Sequence, residues 1–347
     1  MNINNQTPLL HKVMITPESG DRPGLHIILK ATFAIPKRAG EQIEFAQKPI
    51  LILEADEYED EDNPVCIRLE SDLVPFKKNT DIVVVGTVYA PNNQPVRQVD
   101  VGLKVADGQK ILRVFGDRHW FFPSRFAMIP TISKPELFTE MPLTYDRAFG
   151  GVAKEGGVWC AENPIGRGYI AKKSKESVHG LPLPNIEDPN NLIRSWDHRP
   201  HPVGFSFYSR GWQPRLGYAE NIDSESGGCQ AEFYNGAHPQ MQVPGYLKGN
   251  EEVILVNLTR DGLRKFALPG IHPTIELTRY ISPPGVVIDD PTLNYRLPTK
   301  SEKIDAHLDT LVLLPDEGVF YLVWRGGCSI TSLNNPQIRE LDIQMQK

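Results

Sequence analysis

The sequence predicts a mainly β protein, an antiparallel, sandwich-like body with long ordered loops rich in glycine and proline and few short helices. Three observations predict it. Glycine and proline number 28 and 30, together about 17% of the chain against a usual ~12%, an excess that favours turns. Runs of β-branched and aromatic residues of strand length cluster near both ends. Helical periodicity is scarce between them.

The elements follow in order. Gly24 to Ile35 (GLHIILKATFAI) reads as a strand, closed by a turn over Pro36 to Gly40. Pro49 to Glu54 reads as a second strand, and Asp72 to Lys78 as an extended approach segment. Asp81 to Ala90 (DIVVVGTVYA) is the clearest strand. After a turn at Pro91 to Pro95, residues 96 to 106 alternate, with Val99, Val101, Leu103 and Val105 on one face. Asp107-Gly108 is a hairpin signal, and Lys110 to Phe115 returns beside it. Residues 80 to 117 therefore form an expected antiparallel meander. Asp188 to Trp196 reads as a short helix or a turn. Strands resume at Glu252 to Leu258, Thr274 to Ile281 and Thr310 to Leu314, and a last hairpin turns at Asp316-Glu317-Gly318 into Val319 to Trp324. The chain, 1–347, is expected as a single unit: β-rich over 24–117, loop-rich over 118–250, β-rich again over 251–330.

Bulk composition narrows the function. The chain has 347 residues, 40% of them hydrophobic, enough for a core, and a net charge of −6. Proteins that hold nucleic acid through phosphates present a basic face; the nearest to a basic cluster here, Lys172-Lys173-Ser174-Lys175, is short and followed by Glu176. Cys66, Cys160, Cys229 and Cys328 are scattered, without the close spacing of a zinc or redox motif. The first residues are polar, without an apolar signal core, and no stretch approaches the ~20 apolar residues of a membrane span. A cytoplasmic protein is expected.

Catalytic patterns are weak. Gly-x-Ser-x-Gly and Gly-x-Gly-x-x-Gly are absent, and Gly166-Arg167-Gly168 lacks a following helix. Ser226-Gly227-Gly228-Cys229 shows nothing that would activate its thiol. His198 and His201 sit three apart and would need His179 or His238 to complete a metal site; loop histidines ordinarily serve as plain hydrogen-bonding groups. The strongest enzyme alternative is carbohydrate-active: Asp117, Asp146, Glu162 and Asp197 lie near Trp120, Phe149, Trp159 and Trp196. The acidic run from Glu54 to Asp62 is a solvated loop or a docking patch for a basic partner, and it lacks the glycine of a calcium loop.

What stands out instead is a series of Gly, Pro and Arg motifs that carry shape rather than chemistry. They are Asp117-Arg118-His119-Trp120, Tyr145-Asp146-Arg147-Ala148-Phe149-Gly150-Gly151, Asn163-Pro164-Ile165-Gly166-Arg167-Gly168, Leu183-Pro184-Asn185 and Trp212-Gln213-Pro214-Arg215. Gly150-Gly151 reads as a tight bend where backbones pack closely. Trp212 with Arg215 reads either as an exposed hot spot or as a buried cation–π brace.

Together with Glu70 to Lys77, Thr80-Asp81, Gly86 to Pro91, Pro202 to Phe205, Tyr234 to Ala237, Leu247 to Gly249 and Leu268 to Gly270, these motifs resemble a bacterial family of unknown-function domains encoded beside type VI secretion spike and effector genes. The resemblance implies an adaptor or chaperone that helps load a PAAR- or Rhs-type effector onto the VgrG spike. It implies no catalytic residue. No cofactor or metal is expected, and no nucleic-acid or membrane partner. Fold support is the expected role of most motif residues. A structural part of the secretion apparatus is a third reading.

Overall fold

The computed structural model describes residues 1–17, 23–38, 40–62, 64–171, 174–220, 229–281, 297–330 and 337–346. Its strands gather into three main sheets. The largest has six strands in the order Gln242–Val243, Thr80–Val84, His307–Leu314, Val319–Ser329, Pro23–Ala34 and Leu10–Pro17. A five-stranded sheet runs Ile186–Glu187, Gly108–Phe115, Gln98–Val105, Glu252–Val256, Leu263–Ala267. A four-stranded sheet runs Asn2–Asn5, Ile338–Gln346, His272–Tyr280, Thr299–Asp305. Described helices are short, Lys175–Val178 and Arg215–Glu220 with a few 3₁₀ turns.

The long central strands form because successive residues divide between two faces. Along Pro23–Ala34, Leu25, Ile27, Leu29, Ala31 and Phe33 point one way and are all buried. Phe33 stacks on Phe320 at 5.3 Å, and Phe320 meets Phe266 of the five-stranded sheet at 5.3 Å. Those contacts pack the two sheets face to face around one apolar core, to which Val99, Val101, Leu103 and Val105 also belong. The mainly β, sandwich-like expectation therefore describes the molecule.

Several expectations are corrected. Residues 80 to 117 are not one meander. Gln98–Val105 and Gly108–Phe115 do form the hairpin, with Val105 opposite Gly108. Thr80–Val84 instead leaves for the six-stranded sheet, where it runs parallel to His307–Leu314 with Val83 opposite Val312. The run expected from Asp81 to Ala90 breaks at Val85-Gly86 and resumes as Thr87–Tyr89, which pairs with Glu140–Pro142. Pro49 to Glu54 belongs to no ladder and ends in a bend at Glu54. Asp188 to Trp196 is a pair of turns, closed by Asn191 N on Asp188 O and His198 N on Ser195 O. Strands also begin earlier and end later than the expected β-rich parts, at Asn2–Asn5, Leu10–Pro17 and Ile338–Gln346.

The other face of the six-stranded sheet is mixed. His26, Lys30 and Thr32 alternate onto it from one strand, Tyr321 and Arg325 from the next, then Thr310 and Asp81, and all are buried. Loops carrying the sequence motifs cover this face.

Candidate functional site

Two layers of interaction hold those loops. The first is a knot built by the central motifs. Asn163 is fully buried and its Nδ2 donates to Tyr145 O at 2.8 Å and Phe149 O at 3.0 Å. Gly151 N returns a bond to Asn163 O at 2.8 Å. The approach is so close that a Cβ on Gly150, at φ +148°, would lie 2.1 Å from Asn163 O. A Cβ on Gly151, at φ +95°, would lie 2.3 Å from Gly166 O. These glycines are required by contact and by backbone conformation together. A Cβ on Gly168, at φ +93°, would likewise lie 2.9 Å from Pro184 Cδ. Pro164 sits between Asn163 and Ile165 at the turn that closes this loop.

Asn185, also fully buried, is the second tie. Its Nδ2 donates to Phe115 O at 3.0 Å and Asp117 Oδ1 at 2.8 Å. Its Oδ1 accepts from Arg167 at 3.1 Å and Arg147 at 3.4 Å. Arg118 lies over the Phe115 ring, donates to Pro184 O at 2.9 Å and pairs with Glu187. Burial lowers the pKa of Arg118 and raises that of Glu187, each opposed by the other's charge. Trp120 and Phe149 pack beneath with Ile170, Leu181 and Leu183 as a satellite core. The knot thus unites Asp117, Arg118, Trp120, Arg147, Phe149, Gly150, Gly151, Asn163, Gly166, Gly168, Pro184 and Asn185.

Trp212, Pro214 and Arg215 adjoin the knot, where Trp212 packs with Tyr145 and Ala148 and Gln213 N donates to Ala161 O at 2.9 Å. The exposed hot-spot reading is overturned: Trp212 is 8% exposed and meets Tyr145 and Tyr208 edge-on, and Arg215 is 4% exposed. The brace is ionic rather than a Trp–Arg contact. Arg215 pairs with Glu70 at 2.8 Å, and donates to Tyr208 O at 2.7 Å and Phe233 O at 2.8 Å. Pro214 follows a cis peptide bond from Gln213.

Arg215 belongs to the second layer, a buried ionic lattice. Lys30 pairs with Asp72 at 2.7 Å, Lys77 with Asp81 at 2.6 Å, and Arg325 with Asp309. Arg325 also donates to Asp72 O at 2.8 Å, which links two of the pairs. Asp81 takes Asn235 Nδ2 at 2.8 Å and Gly236 N at 2.7 Å. Lys30, Lys77, Arg215 and Arg325 match Asp72, Asp81, Glu70 and Asp309 charge for charge. Burial lowers the pKa of Lys30 and raises that of Asp309, with Asp72 and Arg325 respectively opposing it. A neutral lattice with its lone pairs occupied is the form in which buried charge is tolerated.

Sequence reasoning singled out none of Lys30, Asp309 or Arg325. A signal existed, since each is a charge set in an otherwise apolar strand, a residue type seldom buried unless paired.

The candidates for chemistry are otherwise engaged. Asp117 accepts from Asn185, Asp146 meets Arg167 at 3.3 Å, and Glu162 meets His201 at 2.8 Å. The Asp197 carboxyl is held below its ordinary pKa by Ser195, opposite to what a general acid requires. His238 is buried against Tyr208, and desolvation brings its pKa down to about 4. Among the described residues no three His, Cys, Asp or Glu side chains stand together as a metal ion needs. Burial pushes the Cys66 thiol up to about 11 and raises Cys160 as well, which suppresses thiolate chemistry. Ser226 to Gly228 and Lys172-Lys173 lie outside the described residues. Among the described residues no helix is long and apolar enough to cross a membrane.

Neither curated proteins nor solved structures provide a match to this chain. A family model does, over residues 20–325, which takes in the knot, the lattice and all of the large sheet but Leu10–Pro17 and the end of Val319–Ser329. The chain therefore belongs to the bacterial family described as "Uncharacterized protein conserved in bacteria (DUF2169)".

Proposed function

We propose that this chain is a non-enzymatic cytoplasmic adaptor that binds a type VI secretion effector of the PAAR or Rhs type and helps load it onto the VgrG spike. The observation that supports it most is the destination of the motif side chains. Asn163, Asn185, Arg118 and Arg215 spend their donors largely on backbone carbonyls of neighbouring loops. Such residues make a rigid surface and leave little over to act on a substrate. The motifs that carry the resemblance to type VI adaptors are these same residues.

A rigid, loop-covered sheet suits a chaperone that must shield apolar cargo before loading. Exposed apolar side chains are available for that, among them Phe126, Met128 and Ile129 at 76%, 75% and 72% exposure. Co-expression with the effector encoded beside it, followed by affinity capture and size exclusion, tests the reading. A stable complex is expected. No complex with an effector that folds well alone refutes it.

A further inference from the structure

The segment Pro49 to Glu54 has a strand's sequence, with Ile50, Leu51, Ile52 and Leu53 in succession, yet it joins no sheet. One of its edges is held. Lys30 donates to Leu51 O at 2.9 Å, Leu53 N donates to Asp72 Oδ2 at 2.9 Å, and Leu53 O accepts from Asp72 N at 2.9 Å. Ile50 N donates to Thr32 Oγ1 at 3.0 Å. Among the described residues the backbone groups of Ile52 and Glu54 make no hydrogen bond.

A cleft of about 830 Å³ runs along this segment from Ala46 to Glu57, with Ala34, Leu69 and Val319 completing its wall. Leu51 is 65% exposed beside it. Four acids line the cleft, Glu54, Asp56, Glu57 and Glu317, against Lys48 and Arg68. The next loop adds Glu59, Asp60, Glu61 and Asp62 before any base appears.

We propose that this edge is a docking strand for an extended segment of another protein, one in which apolar residues alternate with lysine or arginine. The inference rests on the adaptor reading and names what the adaptor recognises. The incoming backbone takes the free groups of Ile52 and Glu54, as in strand addition to a sheet edge. Its apolar side chains cover Leu51, and its cations meet the surplus acid. Arg68 already bridges Glu57 and Glu317, Lys12 meets Glu54 and Arg210 meets Asp56, so the incoming cations face the acids of the next loop, Glu59 to Asp62. An acidic segment is repelled by the same surface.

The test uses the full chain and a short fluorescent peptide alternating valine and lysine, read by anisotropy. Saturable binding is expected, weakened about tenfold or more by N-methylation of alternate peptide amides, by glutamate in place of lysine, and by Leu51→Lys. Leu51 is exposed, so an unchanged Tm for that variant separates docking from folding. No saturable binding, or equal binding of the N-methylated peptide, overturns the proposal. Effector capture separates this failure from that of the adaptor reading. If wild type and Leu51→Lys capture the effector equally, the docking strand is wrong and the adaptor stands; if wild type captures none, the adaptor itself falls.

Discussion

Lys30 and Asp72 meet at 2.7 Å with 0% and 4% of their side chains exposed. One sits in the middle of a core strand and the other in a covering loop. The ammonium also bonds Leu51 O and lies 4.1 Å from the Tyr321 ring centroid. Losing water costs both ions heavily, and only this set of partners offsets it. The pair is therefore a clasp that fixes where the loop of residues 50–77 lies.

Removing one member strands the other. Asp72→Leu should lower stability by about 3–5 kcal/mol, while the double change Lys30→Met with Asp72→Leu should cost clearly less than the sum of the two single changes. Thermal unfolding of the four proteins in one buffer gives the coupling. Additive losses would show that the clasp is incidental.

At Gly150 the clash is with backbone, which cannot move aside cheaply. Gly150→Ala should cost more than about 3 kcal/mol. Gly157→Ala is the control: its φ of +62° carries strain, but nothing lies within 4 Å of the added carbon. That change should cost about 1 kcal/mol. Equal midpoints for the two variants would remove the knot from the account.

His238 sets part of the acid limit of stability. Its folded pKa of about 4 lies below the ordinary histidine value of 6.5, so the buried ring stays neutral while the unfolded chain takes up a proton. This contribution is fully present above pH 6.5 and is lost as pH falls toward 4, amounting to about 3 kcal/mol. Unfolding midpoints for wild type and His238→Gln should converge as pH drops through this window. A constant gap would contradict the assignment.

Much of the fold is legible in the sequence, and the exceptions share a cause. The hairpin at Asp107-Gly108 is local: alternation of Val99 to Val105 and the turn residues lie within one window. Thr80–Val84 is misplaced because its partner, His307–Leu314, stands more than two hundred residues away and runs parallel. Leu10–Pro17 and Thr299–Asp305 are outer strands of their sheets, with no apolar run longer than Val13 to Ile15 to mark them. The motifs announced tight loops, and the knot confirms close backbone approach at Gly150 and Gly151. What joins them stayed hidden. The lattice pairs Lys30 with Asp72 and Glu70 with Arg215 across long stretches of chain, and such pairing appears only when the strands are assembled.

Asp117 and Asp146, two of the four acids offered for glycan chemistry, should not matter to cargo. Asp117→Asn keeps an acceptor for Asn185, and Asp146→Asn loses only a contact of 3.3 Å at a part-exposed site. Both variants should capture effector within about twofold of wild type, given the small worth of such contacts. Loss of a glycan-hydrolysing activity in either variant would count for the carbohydrate reading instead.

The most direct measurement of the adaptor claim is the soluble yield of the neighbouring effector as expression of this chain is raised stepwise. The account predicts that soluble effector rises in proportion to the chain and levels off at a fixed ratio between them. A yield that stays flat, with effector soluble and folded in the chain's absence, would contradict it.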